Sequence, residues 1–359
     1  MNRNIKKPKI KIILLLTLLC LIAALSLSAC KVKTYKVTFL SDGAFYEDIT
    51  VKRGETITLP TAPTKWGYIF EGWLYSNDTF KTFDGSEKIT SDITVTAEWT
   101  LNETPTDGLF FTPIEGGYKV SVGEAANEAE IVIPRKYEDE PILEIDNSFS
   151  VCTKLARLMI PFVGETLNGI RNVHFGYIFG ASDSDYNLSK VPVSLKEVIV
   201  SGETSIGSHA FNGCVGLTSI TLPDVTNIGD YVFQYCSGLT VITLPNVTSI
   251  GKSTFSSCRK LTSITLSKVT SIGDYAFYYC SGLTTIMLHN ATSIGEYAFA
   301  ACSGLTVITI PYSVISIQRS AFYEWASSQT IYIKGRSSAP EGWSPWWGLF
   351  CSAKIVWNA

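Results

Sequence analysis

A fixed step of 22 residues dominates the C-terminal half of this 359-residue chain: Cys214, Cys236, Cys258, Cys280 and Cys302 are each 22 apart. Leu217, Leu239, Leu261, Leu283 and Leu305 keep the same step, as do Phe211, Phe233, Phe255, Phe277 and Phe299, and Gly207, Gly229, Gly251, Gly273 and Gly295. Self-similarity at this period means a stack of near-identical coils. A lone coil has too few apolar side chains to offset the entropy of ordering its backbone, so neighbours must share one core. Within a unit, Leu217-Thr-Ser-Ile220-Thr-Leu222 predicts a short strand. The Val-x-x-Ile-Gly and Ala/Val-Phe-x-x-Cys segments turn the chain and pack from the other side. The expected fold is mainly β: a solenoid of short strands and short helical or 3-10 turns, with the strands lining its concave side.

The motif Ile272-Gly273-Asp-Tyr-Ala276-Phe277-Tyr-Tyr-Cys280-Ser-Gly-Leu283-Thr-Thr-Ile286 resembles the BspA-like, Treponema-type leucine-rich repeat. The resemblance covers roughly residues 109–333. It implies a leucine-rich solenoid used for adhesion or for interaction with host or neighbouring-cell molecules. Most units here are one residue shorter than is usual in that family. The unit from Leu305 recovers the residue, with Phe322 lying 23 after Phe299 and Gln318 in place of the glycine. Ile131-Val-Ile-Pro134 and Ile142-Leu-Glu-Ile145, with Phe149 and Cys152, read as a divergent first unit. Leu158-Met159-Ile160-Pro161 opens another, interrupted by residues 180–192, which read as a loop. Ile331–Ile333 and Lys354–Trp357 read as terminal strands, since end units must hide the edge of the stack. The solenoid is placed at 109–335 and a C-terminal cap at 336–359.

The other end carries an address. Arg3, Lys6, Lys7, Lys9 and Lys11 precede an apolar stretch from Ile12 to Leu27, interrupted only by Thr17 and Ser26. Leu27-Ser28-Ala29-Cys30 resembles the bacterial lipobox, which implies cleavage before Cys30 and a lipid on its sulfur. Residues 1–29 are then a lipoprotein signal peptide and 30–33 the lipidated N-terminus, on the extracellular face of a bacterial cell membrane. Each buried methylene adds about 0.8 kcal/mol of membrane affinity, so two or more acyl chains anchor durably. An uncleaved signal anchor would give the same location.

Residues 34–99 alternate in short strands between turn signals, as in Tyr35-Lys36-Val37-Thr38-Phe39. Gly54, Pro60, Pro63, Gly67-Tyr68-Ile69-Phe70-Glu71-Gly72-Trp73 and Ala97-Glu98-Trp99 are similar to the internalin B-repeat, or Listeria–Bacteroides repeat. The resemblance implies a small β-grasp-like spacer. Trp73 and Trp99 are expected in its core rather than on a sugar-stacking platform with Trp66, because a domain this small needs large apolar side chains. Residues 100–108, with Pro105 and Asp107-Gly108, read as a linker.

Apolar residues make up 46% of the chain and charged ones 17%, which argues against disorder. Without residues 1–29, 24 basic side chains face 32 acidic ones. That mildly acidic balance, with no basic patch, disfavours nucleic acid as a partner. Nothing in the sequence calls for a cofactor. No Gly-x-Ser-x-Gly, His-Glu-x-x-His or phosphate-binding loop is present, and His174, His209 and His289 are scattered. No enzyme, catalytic residue or metal site is therefore expected. The repeat cysteines point the same way in every coil and read as buried free thiols. Asp183 and Asp185 are a weak signal for Ca²⁺.

The candidate binding surface is the concave face, with Ser219, Thr221, Thr243, Ser263, Thr265, Thr285 and Thr309. It is hydroxyl-rich and weakly charged, though Thr is also favoured in strands for its own sake. A second candidate is an aromatic patch of Trp343, Trp346 and Trp347, weighed against a hydrophobic cap. The expected function is that of a non-catalytic surface lipoprotein binding a protein partner through its solenoid. A glycan-binding lipoprotein is the alternative, and a hydrolase with a site in 180–192 a third reading.

Overall fold

The computed structural model describes residues 32–167, 169 and 173–359. The signal peptide and Cys30 lie outside these residues. The chain divides into two compact units, one up to Asn102 and one from Glu103.

In the first unit, strands β1 (Thr34–Ser41), β2 (Ala44–Lys52), β3 (Tyr68–Tyr75), β4 (Asp78–Thr82) and β5 (Ile93–Leu101) form one sheet in the order β2-β1-β5-β3-β4. β1 and β5 are parallel, and the other neighbours are antiparallel. Alternation along β1 sends Val37 and Phe39 inward, where they meet Val51, Trp73, Phe83, Ile89 and Val95. Phe39 meets Trp73 edge-on at 4.8 Å. Trp73 is the buried centre, whereas Trp99 is half-buried against Phe70 with Lys65 over its ring. β5 runs through Thr100 and Leu101, so the connection to the second unit starts later than the linker expected at residue 100.

The second unit is the predicted solenoid. Ten short strands among the described residues form its main face, from Glu130–Val132 to Lys354–Trp357. Wherever neighbours pair they run parallel and in register, as in Ser219↔Val241, Ile220↔Ile242 and Thr221↔Thr243. A second ladder joins two-residue strands such as Ser271–Ile272, Ser293–Ile294 and Ser316–Ile317.

A third ladder runs through the Phe-x-x-Cys turns. The N–H groups of Tyr231, Phe233 and Tyr235 donate to the carbonyls of Lys252, Thr254 and Ser256, and each later coil up to Tyr297 repeats the pattern. Two residues per coil adopt a left-handed backbone there, for example Tyr231 and Tyr235, Ser253 and Ser257, Tyr275 and Tyr279. Such a conformation costs about 1–2 kcal/mol for a non-glycine residue. Here it aims that residue's N–H at the next coil, and the resulting hydrogen bond offsets the cost.

The three ladders enclose one core. The rings of Phe211, Phe233, Phe255, Phe277, Phe299 and Phe322 stack in sequence, with centroids 5.3–5.9 Å apart. Beside them the Sγ of Cys236, Cys258, Cys280 and Cys302 each donates to a phenylalanine carbonyl of the preceding coil at 3.0–3.1 Å. Trp325 takes the cysteine position in the next coil, and its Nε1 donates to Phe299 O at 2.8 Å. The glycine column is steric: a Cβ on Gly273 would lie 2.8 Å from the carbonyl carbon of Gly251. Gln318, in the longer coil, keeps the glycine's backbone bond by donating to Ile294 O.

Two regions depart from the expected repeat. Residues 110–121 form an antiparallel hairpin, Phe110–Ile114 with Gly117–Ser121, at the start of the stack. Residues 180–192 are not a plain loop: Ser184–Tyr186 is a 3-10 turn and Asn187–Lys190 a short helix. Asn187 is fully buried. Its Oδ1 accepts from the Gly176 N–H at 2.7 Å, and its Nδ2 donates to Asn212 O at 3.1 Å. Buried polar atoms need such partners, and this side chain knits the insertion into the coils on either side.

Candidate functional site

On the main strand face the middle residue of each strand points into the core and its two neighbours point out. The register therefore builds two outward columns. One reads Glu130, Arg157, Glu197, Ser219, Val241; the other reads Val132, Met159, Ile199, Thr221, Thr243. The columns continue through Ser263 and Thr265, Thr285 and Met287, Val307 and Thr309, Thr330 and Tyr332, then Lys354 and Val356. At the N-terminal end, Arg157 bridges Glu130 at 2.8 Å and Glu197 at 3.3 Å. Met159 and Ile199 there are buried, so the open face begins at Ser219 and Thr221. Between Glu197 and Lys354 no outward residue of this face is charged.

All seven predicted hydroxyl residues lie on this face. Thr243, Ser263, Thr265 and Thr285 are exposed, while Ser219, Thr221 and Thr309 are half-buried. Apolar side chains stand among them: Val241 is 51% exposed, Met287 59% and Val307 47%. Single exposed apolar residues are ordinary, but several on one uncharged strip are not. Beside Met287 and Val307 the face sinks into a depression of about 490 Å³, rimmed by Thr285, Thr309, His289 and Lys334.

The hydroxyls of this face differ from the other threonines of the repeat. Thr218, Thr240 and Thr284 each donate their hydroxyl to a backbone carbonyl one coil back. Thr226, Thr270 and Thr292 do the same at the second ladder. Those hydroxyls are consumed by the fold. Among the described residues, Thr221, Thr243, Thr265 and Thr309 have no such partner. Residue type does not separate the two kinds of threonine; their place in the coil does.

The predicted aromatic patch does not form as a surface. Trp343 and Trp347 are buried, and only Trp346 stands out, 59% exposed. Trp343 donates Nε1–H to Val314 O and meets Trp347 edge-on at 5.3 Å, while Trp347 closes on Phe322. These two rings end the phenylalanine stack, which is the capping role.

The remaining reactive groups are held inert. Burial pushes the thiols of Cys236 and Cys302 up to about 12 and those of Cys214, Cys258 and Cys280 up as well. A thiol that stays protonated is a poor nucleophile and metal ligand. Burial holds the His174 imidazole below its usual range. Asp183 caps its own turn by accepting the Asp185 N–H at 3.0 Å. Among the described residues no cluster of His, Cys, Asp or Glu could hold a metal ion. No helix among them is long and apolar enough to cross a membrane.

Residues 204–329 match the BspA type leucine-rich repeat region, in six copies, and residues 35–98 match the Listeria–Bacteroides repeat domain. Among solved structures, a leucine-rich repeat protein from Bacteroides ovatus is 24% identical, with 72% of each chain covered and a TM-score of 0.44. The Treponema pallidum leucine rich repeat protein is 23% identical over 57% of this chain and 80% of its own, with a TM-score of 0.34. A leucine rich cell surface protein from Faecalibacterium prausnitzii is 19% identical over 72% of this chain and 96% of its own, with a TM-score of 0.32. No curated protein matches the chain. The chain thus carries a BspA-type repeat solenoid and a Listeria–Bacteroides repeat domain.

Proposed function

We propose that this chain is a surface-displayed, non-catalytic repeat protein that binds a protein partner through the strand face of its solenoid. The observation that carries this reading is the strip from Ser219 to Thr309. It is uncharged, its hydroxyls are unspent, and Val241, Met287 and Val307 stand exposed on it. Protein interfaces deplete charge at their core and enrich methionine and apolar contacts there. The in-register columns make the strip rigid before it meets a partner, which lowers the entropic cost of binding. The surface location rests on the resemblance of the N-terminus to a lipoprotein signal. Acylated Cys30 is its proposed anchor and the sheet domain its spacer.

The test is a binding screen of the immobilised full chain against extracellular matrix and plasma proteins, followed by charge insertion on the face. Thr265→Lys and Val241→Lys should each weaken capture at least tenfold, since an unpaired buried charge costs well over 1.4 kcal/mol. Capture that withstands both substitutions would show that the partner uses another surface. Mass spectrometry tests the anchor, since a mature N-terminus without acyl mass on Cys30 would remove it.

A further inference from the structure

On a different side of the solenoid, the second left-handed position of each turn forms its own column: Gly213, Tyr235, Ser257, Tyr279, Ala301 and Glu324. Large and small residues alternate along its first four members. The other left-handed column closes on itself where aromatic rings follow one another: His209 stacks on Tyr231 at 4.7 Å and Tyr275 on Tyr297 at 5.0 Å. Tyr235 has no such neighbour, because Gly213 and Ser257 flank it in the adjoining coils. It is 55% exposed and, among the described residues, takes no part in a ring contact. Its ring borders a shallow depression of about 490 Å³, whose wall includes Asp185 of the insertion, Asn212, Gly213, Ser257 and Arg259. That volume lies in the range of about 300–1,000 Å³ common for small-ligand sites.

The polar groups around the depression have capacity to spare. Among the described residues, the Arg259 guanidinium and the Asp185 carboxylate have no side-chain partner, in ion pairs or in hydrogen bonds. Asn212 donates to Gln234 at 3.3 Å, which leaves its own Oδ1 as an acceptor. An aromatic ring with an open face supplies contact area for the C–H face of a sugar. Arg donates in pairs, Asp accepts in pairs and Asn does one of each, a combination that matches adjacent hydroxyls. A flat apolar peptide side chain would leave all three unpaired, which is costly.

We propose that this depression is a carbohydrate subsite that seats one pyranose ring against Tyr235, with its hydroxyls shared among Asp185, Asn212 and Arg259. It is separate from the strand face and takes a different class of ligand. A surface protein with both would hold a protein partner and a glycan at once.

Saturation-transfer NMR of the full chain with methyl pyranosides of hexoses, N-acetylhexosamines and hexuronic acids tests this. At least one pyranoside should receive saturation on the protons of its apolar face. Two variants then address the site without disturbing the coil. Tyr235→Gly removes the ring and suits the left-handed backbone. Gly213→Tyr places a ring in the slot, in a backbone conformation that Tyr235 and Tyr279 already tolerate. Each should abolish the transfer, with the far-UV circular dichroism unchanged, and Arg259→Ala should weaken binding at least tenfold. Trp346→Ala, at the cap, should leave it intact. No transfer from any pyranoside, or transfer that persists in both Tyr235→Gly and Gly213→Tyr, overturns the proposal.

Discussion

The two units solve the same problem in opposite ways. The sheet domain has seven buried apolar residues grouped around Trp73, and no residue among them has a duplicate. The solenoid repeats one set of contacts, so that Phe233, Phe255 and Phe277 do the same job in successive coils. A closed core concentrates its stability in a few side chains, whereas a stacked one spreads it as nearest-neighbour terms. The first kind should fail as a whole and the second locally.

The widest separation is expected from matched deletions. Trp73→Ala should cost about 3–5 kcal/mol, comparable to the whole stability of so small a domain. Calorimetry should show that domain's transition vanish while the solenoid's remains. Phe255→Ala should cost a similar amount, but hydrogen exchange should quicken mainly in the coils of Phe233, Phe255 and Phe277. Quickening along the whole array would mean that the stack behaves as one closed core.

A smaller effect belongs to Glu203, half-buried where the chain leaves the strand Glu197–Val200. Burial pushes its carboxyl from 4.5 up to about 7. The folded state therefore binds a proton that the unfolded state releases. Its contribution is fully favourable below pH about 4.5, declines as the pH rises toward about 7, and is flat beyond. Glu203→Gln should flatten that decline and add about 2 kcal/mol at pH 8, read by urea denaturation across pH. An unchanged profile would mean that the carboxylate is compensated.

The thiol column gives a finer test of repetition. Maleimide at pH 8 should reach half-buried Cys351 at least tenfold sooner than Cys236, Cys258, Cys280 or Cys302. Cys280→Ala should cost about 1–2 kcal/mol, from a small cavity and the lost bond to Phe255 O. The smallest shift is expected at Ser257, whose left-handed backbone suits glycine. Ser257→Gly should be neutral or stabilising by up to about 1 kcal/mol in thermal denaturation, where glycine in a strand would destabilise.

The same contrast explains what could be read from sequence. Periodicity multiplies a weak signal, so the inward columns of Leu, Phe, Ile and Cys and the strands were legible in the sequence. The sheet domain was legible through its Gly-Tyr-Ile-Phe-Glu-Gly-Trp stretch, but its strand Asp78–Thr82 was not, because every residue of that strand is exposed. Features that occur once escaped. The hairpin at 110–121 has no counterpart further along, and Asn187 is a buried amide in a stretch that reads as polar loop. Left-handed tyrosines were hidden too, because that conformation is ordinarily signalled by glycine. On the strand face the seven hydroxyl residues were found by position alone. Trp343 and Trp347, weighed in the sequence as a surface patch or a hydrophobic cap, are buried at the end of the stack.

The strand face is the proposed seat of a protein partner. Hydroxyl-radical footprinting reads it at the side-chain level, because Met287 is reactive, exposed and part of the strip. With a partner captured in the screen, oxidation of Met287 should fall several-fold, while Tyr279 on the turn side and Trp346 at the cap keep their rates. Unchanged oxidation of Met287 beside protection of Tyr279 or Trp346 would contradict the assignment.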